Sequence, residues 1–146
     1  MTITRAAAFA LLVSSAISQV TQPPPVSEMP LFLSWYDPEL CKPENGGVMI
    51  NCDSDPTRMA GGTAVTADMY GYAAACPAEW FDRVIMIPGV GERRCLDTGG
   101  AIKVTYRRTY TSNGFVWGWC VYVDILHQHE TPPDWQYSLV YGWSLN

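Results

Sequence analysis

Two carboxylates stand out by their setting. Asp97 opens Asp97-Thr98-Gly99-Gly100 at the end of a short strand pattern, and Asp124 sits inside Tyr122-Val123-Asp124-Ile125-Leu126. A carboxylate at a strand end beside a glycine pair lies next to exposed backbone amides, because glycine lets the chain turn sharply and approach closely. That setting suits a general acid or base, or a ligand-binding residue. Lys103 follows at a distance from which it can bind substrate or neutralise Asp97, the salt bridge being the plainer role. Thr98 either hydrogen-bonds the carboxylate or only turns the chain. His127-Gln128-His129 would set two imidazoles on one face of a continuing strand. With no third ligand at a recognisable spacing, and only Glu130 nearby, this reads as a strand end. No metal and no cofactor is expected.

The elements that must carry these residues are short and β-rich. From Gly61 onward, runs at Tyr70–Ala75, Arg83–Ile87, Glu92–Leu96, Ile102–Tyr110, Phe115–Leu126 and Trp135–Trp143 alternate with turn signals. The turns are Pro88-Gly89, Thr98-Gly99-Gly100, Ser112-Asn113-Gly114 and Pro132-Pro133-Asp134. Many short strands between Gly, Pro and Asn turns predict an all-β barrel or sandwich. Asn113-Gly114 predicts a hairpin joining Val104–Tyr106 to Phe115–Tyr122, since both residues tolerate positive φ. No stretch holds a helical period, though Pro77–Phe81 suits a single turn. Residues 19–60 read as a linker and irregular extension, proline-rich from Pro23-Pro24-Pro25 to Pro56, with short strands at Leu31–Trp35 and Val48–Asn51.

Composition narrows the partners and the compartment. The net charge is −5 with 16% charged residues, which leaves no basic stripe of the kind nucleic acids demand. Residues 1–18 resemble a secretory signal: Arg5, an apolar run from Ala6 to Val13, then small residues to Ser18. The run is shorter than the ~20 residues a membrane span needs, so no stable span is expected after processing. The five cysteines are dispersed without a Cys-x-x-Cys pair, which predicts two disulfides and one free thiol in an oxidising compartment. Cys41 and Cys52 are the nearest pair; the other pairings stay open. The expected location is secreted, periplasmic or cell-envelope.

The segment Ile87-Pro88-Gly89 through Asp97-Thr98-Gly99-Gly100-Ala101-Ile102-Lys103 resembles the signature of the three-aspartate (3D) domain, which also forms the barrel of membrane-bound lytic murein transglycosylases. Tyr122–Leu126 resembles its last element. The resemblance covers roughly Gly61 to Leu126. It implies a six-stranded double-psi β-barrel over 61–146, with the N-terminal extension and the hairpin as additions, and a groove for glycan strands. It further implies peptidoglycan or another cell-wall glycan as partner. The catalytic acid falls first on Asp97, with Asp124 the other candidate, and Thr98, Gly99, Gly100 and Lys103 fall in the substrate-binding role. A lytic transglycosylase uses a hydroxyl of its own substrate as nucleophile, so one carboxylate can serve as acid and then base, unlike an ordinary glycosidase pair. Two features depart from the signature. Ala75-Cys76-Pro77 stands where the family has Ala-Asp-Pro, with Asp82 out of register. About twenty residues, including the hairpin, separate Lys103 from Asp124.

Two other functions fit the same residues. A non-catalytic barrel that binds wall glycan needs the fold but no acid; Tyr106, Trp117, Trp119 and Tyr122 would serve it as a stacking surface, although cross-strand packing is their plainer role. Leu96-Asp97-Thr98-Gly99 also resembles the turn of dimeric aspartic proteases, in which two aspartates share a proton. Gly100-Ala101-Ile102-Lys103 departs from how those enzymes continue.

Overall fold

The computed structural model describes residues 22–42, 57–111 and 114–146. The expected signal segment, the strand at Val48–Asn51 and the Cys41–Cys52 pairing fall outside these residues. The described chain is predominantly β, with eight strands: β1 (Leu31–Tyr36), β2 (Ala73–Ala75), β3 (Val84–Ile87), β4 (Gly91–Asp97), β5 (Val104–Thr111), β6 (Gly114–Leu126), β7 (Ser138–Val140) and β8 (Ser144–Leu145). Helical structure among the described residues is confined to short 3-10 turns, one of them at Ala78–Trp80 within the expected turn. No helix there is long and apolar enough to cross a membrane.

The strands form one mixed sheet in the order β7-β1-β6-β2-β4-β3-β8, with β5 added on β6. Among the described residues its two ends are not hydrogen-bonded to each other. β1 pairs parallel with β6, β2 pairs parallel with β4, and β2 joins β6 antiparallel. The sheet therefore takes in residues from the 19–60 stretch as well as from 61–146. Leu31–Tyr36 becomes an inner strand because Leu31 and Leu33 enter one core while Phe32 and Ser34 are buried on the other face.

β6 is the long element that organises the rest. Its first half, rich in aromatics, pairs with β5 from Thr111↔Gly114 to Val104↔Val121, so the expected hairpin forms. Gly114 supplies the positive φ of 104° where the second strand begins. Its second half lies between β1 and β2, and Val121, Val123 and Ile125 point into the main core. That core also takes Met29, Leu31, Leu33, Ala74, Trp80, Ile85, Ile87 and the disulfide Cys76–Cys95. β3 returns to β4 through Ile87-Pro88-Gly89-Val90, where Val90 N donates to Ile87 O at 3.0 Å and Gly89 has φ 77°. Pro at the second position and a left-handed Gly at the third define a type II turn. Cys120 is the one free cysteine among the described residues and is buried.

A second, smaller core lies on the opposite face of the sheet. Met59, Ala73 and Leu126 are buried there, with Tyr36, Val65, Met69, Tyr70 and Leu96 packed around them. It closes one end of that face and leaves the row beyond Tyr36 for polar groups.

Candidate functional site

A β-bulge brings the two aspartates onto one face. β2 and β4 pair as Ala73↔Arg94 and Ala74↔Cys95, then skip to Ala75↔Asp97. Directly paired residues point to the same side of a sheet, and side chains alternate along a strand. Cys95 and Ala74 point into the main core with Ile125, so strict alternation would send Asp97 inward too. The extra residue, Leu96, packs on the second core instead, and Asp97 emerges beside Ala75. Ala75 is also the register partner of Asp124, and Asp124 is that of Ser34. Ser34, Asp124, Ala75 and Asp97 thus form a row across four neighbouring strands. The aspartate Cα atoms lie two strand spacings apart, about 10 Å. Re-aiming a side chain in this way is a common use of bulges beside active sites.

The two carboxylates have different surroundings. Asp97 accepts three hydrogen bonds: Tyr36 Oη to Oδ2 at 3.0 Å, Ala60 N to Oδ1 at 2.7 Å and Thr98 N to Oδ1 at 2.9 Å. Thr98 therefore serves Asp97 through its backbone. Asp124 accepts one, from Ser34 Oγ at 2.6 Å, and Ser34 Oγ also lies 2.8 Å from Tyr122 Oη. Burial pushes the Asp124 carboxyl up to about 6; Ser34 opposes this, and the charge of Asp97 adds to it. Tyr36 is pushed up by burial and then by Asp97, so its hydroxyl keeps its proton and remains a donor. Asp124 can thus exchange a proton near neutral pH beside a carboxylate held by three donors.

The remaining sequence candidates lie at the margin. Gly99 and Gly100 are exposed in the turn closed by Ile102 N to Gly99 O at 3.0 Å, and neither has the positive φ that would require glycine. Lys103 is exposed and, among the described residues, makes no ion pair, so the expected bridge to Asp97 is not formed. Its carbonyl accepts from Tyr122 N at 3.1 Å, which ties the turn to β6. Asp82 is exposed and is held by Arg94 through contacts of 2.9 and 2.6 Å. Sequence reasoning missed Ser34 and Tyr36, which reach the site from β1. The only available signal was the Leu31-x-Leu33-x-Trp35 alternation.

The two histidines diverge once β6 ends at Leu126. His127 packs its ring edge-on against Trp35 and Trp135, whereas His129 turns to Asp37. Asp37 is 1% exposed and accepts from Glu39 N, Tyr70 Oη, His129 N and His129 Nδ1 at 3.0, 2.8, 2.9 and 2.6 Å. Asp37, His129 and Glu130 offer ligand atoms within 4.8 Å of one another. The Asp37 oxygens are already occupied by these donors, so the cluster serves as a clasp between the end of β1 and the segment after β6.

Compared with protein families, curated proteins and solved structures, the chain matches none.

Proposed function

We propose that this protein is an exported lytic enzyme of the bacterial cell wall, a lytic transglycosylase-like member of the double-psi barrel class, with Asp124 as its acid and base. The observation that carries this reading is the bulge-aligned pair of Asp97 and Asp124, in which one carboxyl is pushed up to about 6 beside a partner that accepts three hydrogen bonds. An acid that protonates a glycosidic oxygen needs a carboxyl still protonated near the working pH. The acid role thus shifts from Asp97 to Asp124. Asp97 supplies negative charge that favours the protonated acid and a positive centre developing at the sugar. The barrel part of the reading rests on the resemblance of the Asp97-Thr98-Gly99-Gly100 segment, and the Cys76–Cys95 disulfide supports an oxidising compartment. Against the dimeric protease, Gly100-Ala101-Ile102-Lys103 departs from how those enzymes continue after Asp-Thr-Gly.

A binding-only wall module is the second reading. It is favoured by the exposed rings of Tyr106 and Trp117 on the hairpin, 6.0 Å apart and inclined by 20°. The test is digestion of purified peptidoglycan with mass spectrometry of released fragments, for wild type, Asp124→Asn and Asp97→Asn. Anhydro fragments from wild type, absent with Asp124→Asn and reduced with Asp97→Asn, are the expected result. Wall binding by all three proteins with no fragment released would establish the binding module instead.

A further inference from the structure

The site face carries one more charged group, on its side away from the second core. Arg107 lies on β5 opposite Gly118 of β6. Its guanidinium carbon sits 4.4 Å from the ring centroid of Phe32 and 5.3 Å from that of Tyr122. These rings stack on each other at 5.4 Å and 17°. Phe32 is 6% exposed, so the plate beneath the guanidinium is fixed by packing. From the plate a continuous line leads to the acid: Tyr122 Oη lies 2.8 Å from Ser34 Oγ, which donates to Asp124 Oδ1 at 2.6 Å.

Arg107 and its neighbour Arg108 hold rings rather than carboxylates among the described residues; Arg108 lies over Phe115 at 3.7 Å on the other face of β5, and Arg107 faces the site. Arg94 is spent on Asp82, Arg83 on the carbonyls of Leu145 and Asn146, and Arg58 on the carbonyl of Gly62. Among the described residues Arg107 has no carboxylate or carbonyl partner, only the two rings. A guanidinium over aromatic rings, with no carboxylate or carbonyl bound, has donors left for a ligand, and its planar fork matches a carboxylate in two-point fashion. Withdrawing a cation partly from water without an anion is costly, which favours a partner that arrives with the ligand. In a chain of net charge −5, with two aspartates in the site, an acidic ligand otherwise meets repulsion.

We propose that Arg107 is a specificity residue that binds a carboxylate carried on a sugar of the glycan strand, next to the unit bound at Asp124. The inference rests on the glycan-cleaving reading and narrows its substrate class to acidic glycans. The ring plate fixes the guanidinium, and its fork reads the acid group of the sugar.

The experiment uses the full chain as Asp124→Asn, so that ligands stay intact, with calorimetric titration of three probes. These are a peptide-free wall tetrasaccharide with free lactyl carboxylates, the same tetrasaccharide with those carboxylates converted to methyl amides, and a free stem peptide. The acidic tetrasaccharide is expected to bind about 10–100-fold more tightly than its amide, as one charge-assisted contact warrants. Adding Arg107→Gln should abolish that ratio, and Arg107→Lys should retain part of it. Equal affinity for the acid and the amide, or a ratio that survives Arg107→Gln, overturns the assignment while leaving the glycan reading intact. Tighter binding of the stem peptide than of the acidic tetrasaccharide also overturns it, by moving the anion to the peptide. No binding of either tetrasaccharide overturns the glycan reading itself, and Arg107's role with it.

Discussion

Neutralising Asp124, the proposed acid, should make the protein more stable and, at the same time, inactive on the cell wall. Asp124→Asn keeps the shape of the side chain, and its amide oxygen can still accept from Ser34 Oγ, which lies 2.6 Å from Asp124 Oδ1 in the wild type. What it removes is the cost of ionising a carboxyl in the sheet face. In the wild type that carboxyl titrates at about 6 when folded, against an ordinary value of 3.8, with burial the main cause. Below pH 3.8 it is protonated in both states and costs nothing. Between 3.8 and 6 the unfolded chain ionises first, so stability falls as pH rises. Above about 6 the penalty is constant at about 3 kcal/mol.

Urea unfolding of both proteins from pH 3.5 to 8 measures this directly. The curves should coincide near pH 4 and part steadily, with Asp124→Asn ahead by roughly 1.5 M in midpoint at pH 8 for a slope of about 2 kcal/mol per molar. The stabilised variant should release no fragments from the wall, the trade expected where a strained ionisable group does chemistry. Parallel pH curves would show that Asp124 is solvated in the folded protein. The argument that it stores a proton for catalysis would then fail.

Three further outcomes follow from the same contacts. Ser34→Ala removes the hydrogen bond that holds the Asp124 value down, so the pH above which wall digestion falls off should move upward by roughly one unit; an unmoved profile would mean that Asp124 is not the titrating group. At the clasp, burial raises the Asp37 carboxyl, but the hydrogen bonds from His129, Tyr70 and backbone amides outweigh it and leave it lowered, while Asp37 raises His129. The Asp37 contribution is present above 3.8 and lost as pH falls through its lowered value. That of His129 is present below 6.5 and lost as pH rises through its raised value. The Tm gap between wild type and His129→Gln should therefore be widest between these pH values and narrow on both sides; a gap that does not vary with pH counts against the ion pair. Replacing Cys76 and Cys95 by serine opens a 19-residue separation, so chemical unfolding should show a loss of about 3 kcal/mol, with activity lost in parallel because the bridge joins the residues flanking the bulge.

What could be read from the chain follows the range of the interactions involved. The β5–β6 hairpin was legible because Asn113-Gly114 and the flanking alternation are local, and the observed register runs through eight residue pairs from that point. Asp97 and Asp124 were legible as types in a setting, and the resemblance named both. Their convergence was not, because it depends on one bulged residue, Leu96, and on two side chains, Ser34 and Tyr36, brought from a strand that meets β6 about 90 positions later in sequence. The expected Lys103–Asp97 bridge failed for a related reason. Nearness in sequence across a glycine turn says nothing about direction, and the turn leaves Lys103 in solvent while Tyr36, Ala60 and Thr98 take every bond that Asp97 accepts.

The choice of acid has the same origin. The motif resemblance placed the acid first on Asp97 with Asp124 as the other candidate, but proton affinity is set by desolvation and neighbours, which only tertiary packing supplies. In the proposed reading, motif conspicuousness and chemical role fall on different aspartates. Tyr36, Ala60 and Thr98 hold Asp97 in place, and the less conspicuous Asp124, partly buried near the end of β6, is the one whose carboxyl is pushed up to about 6.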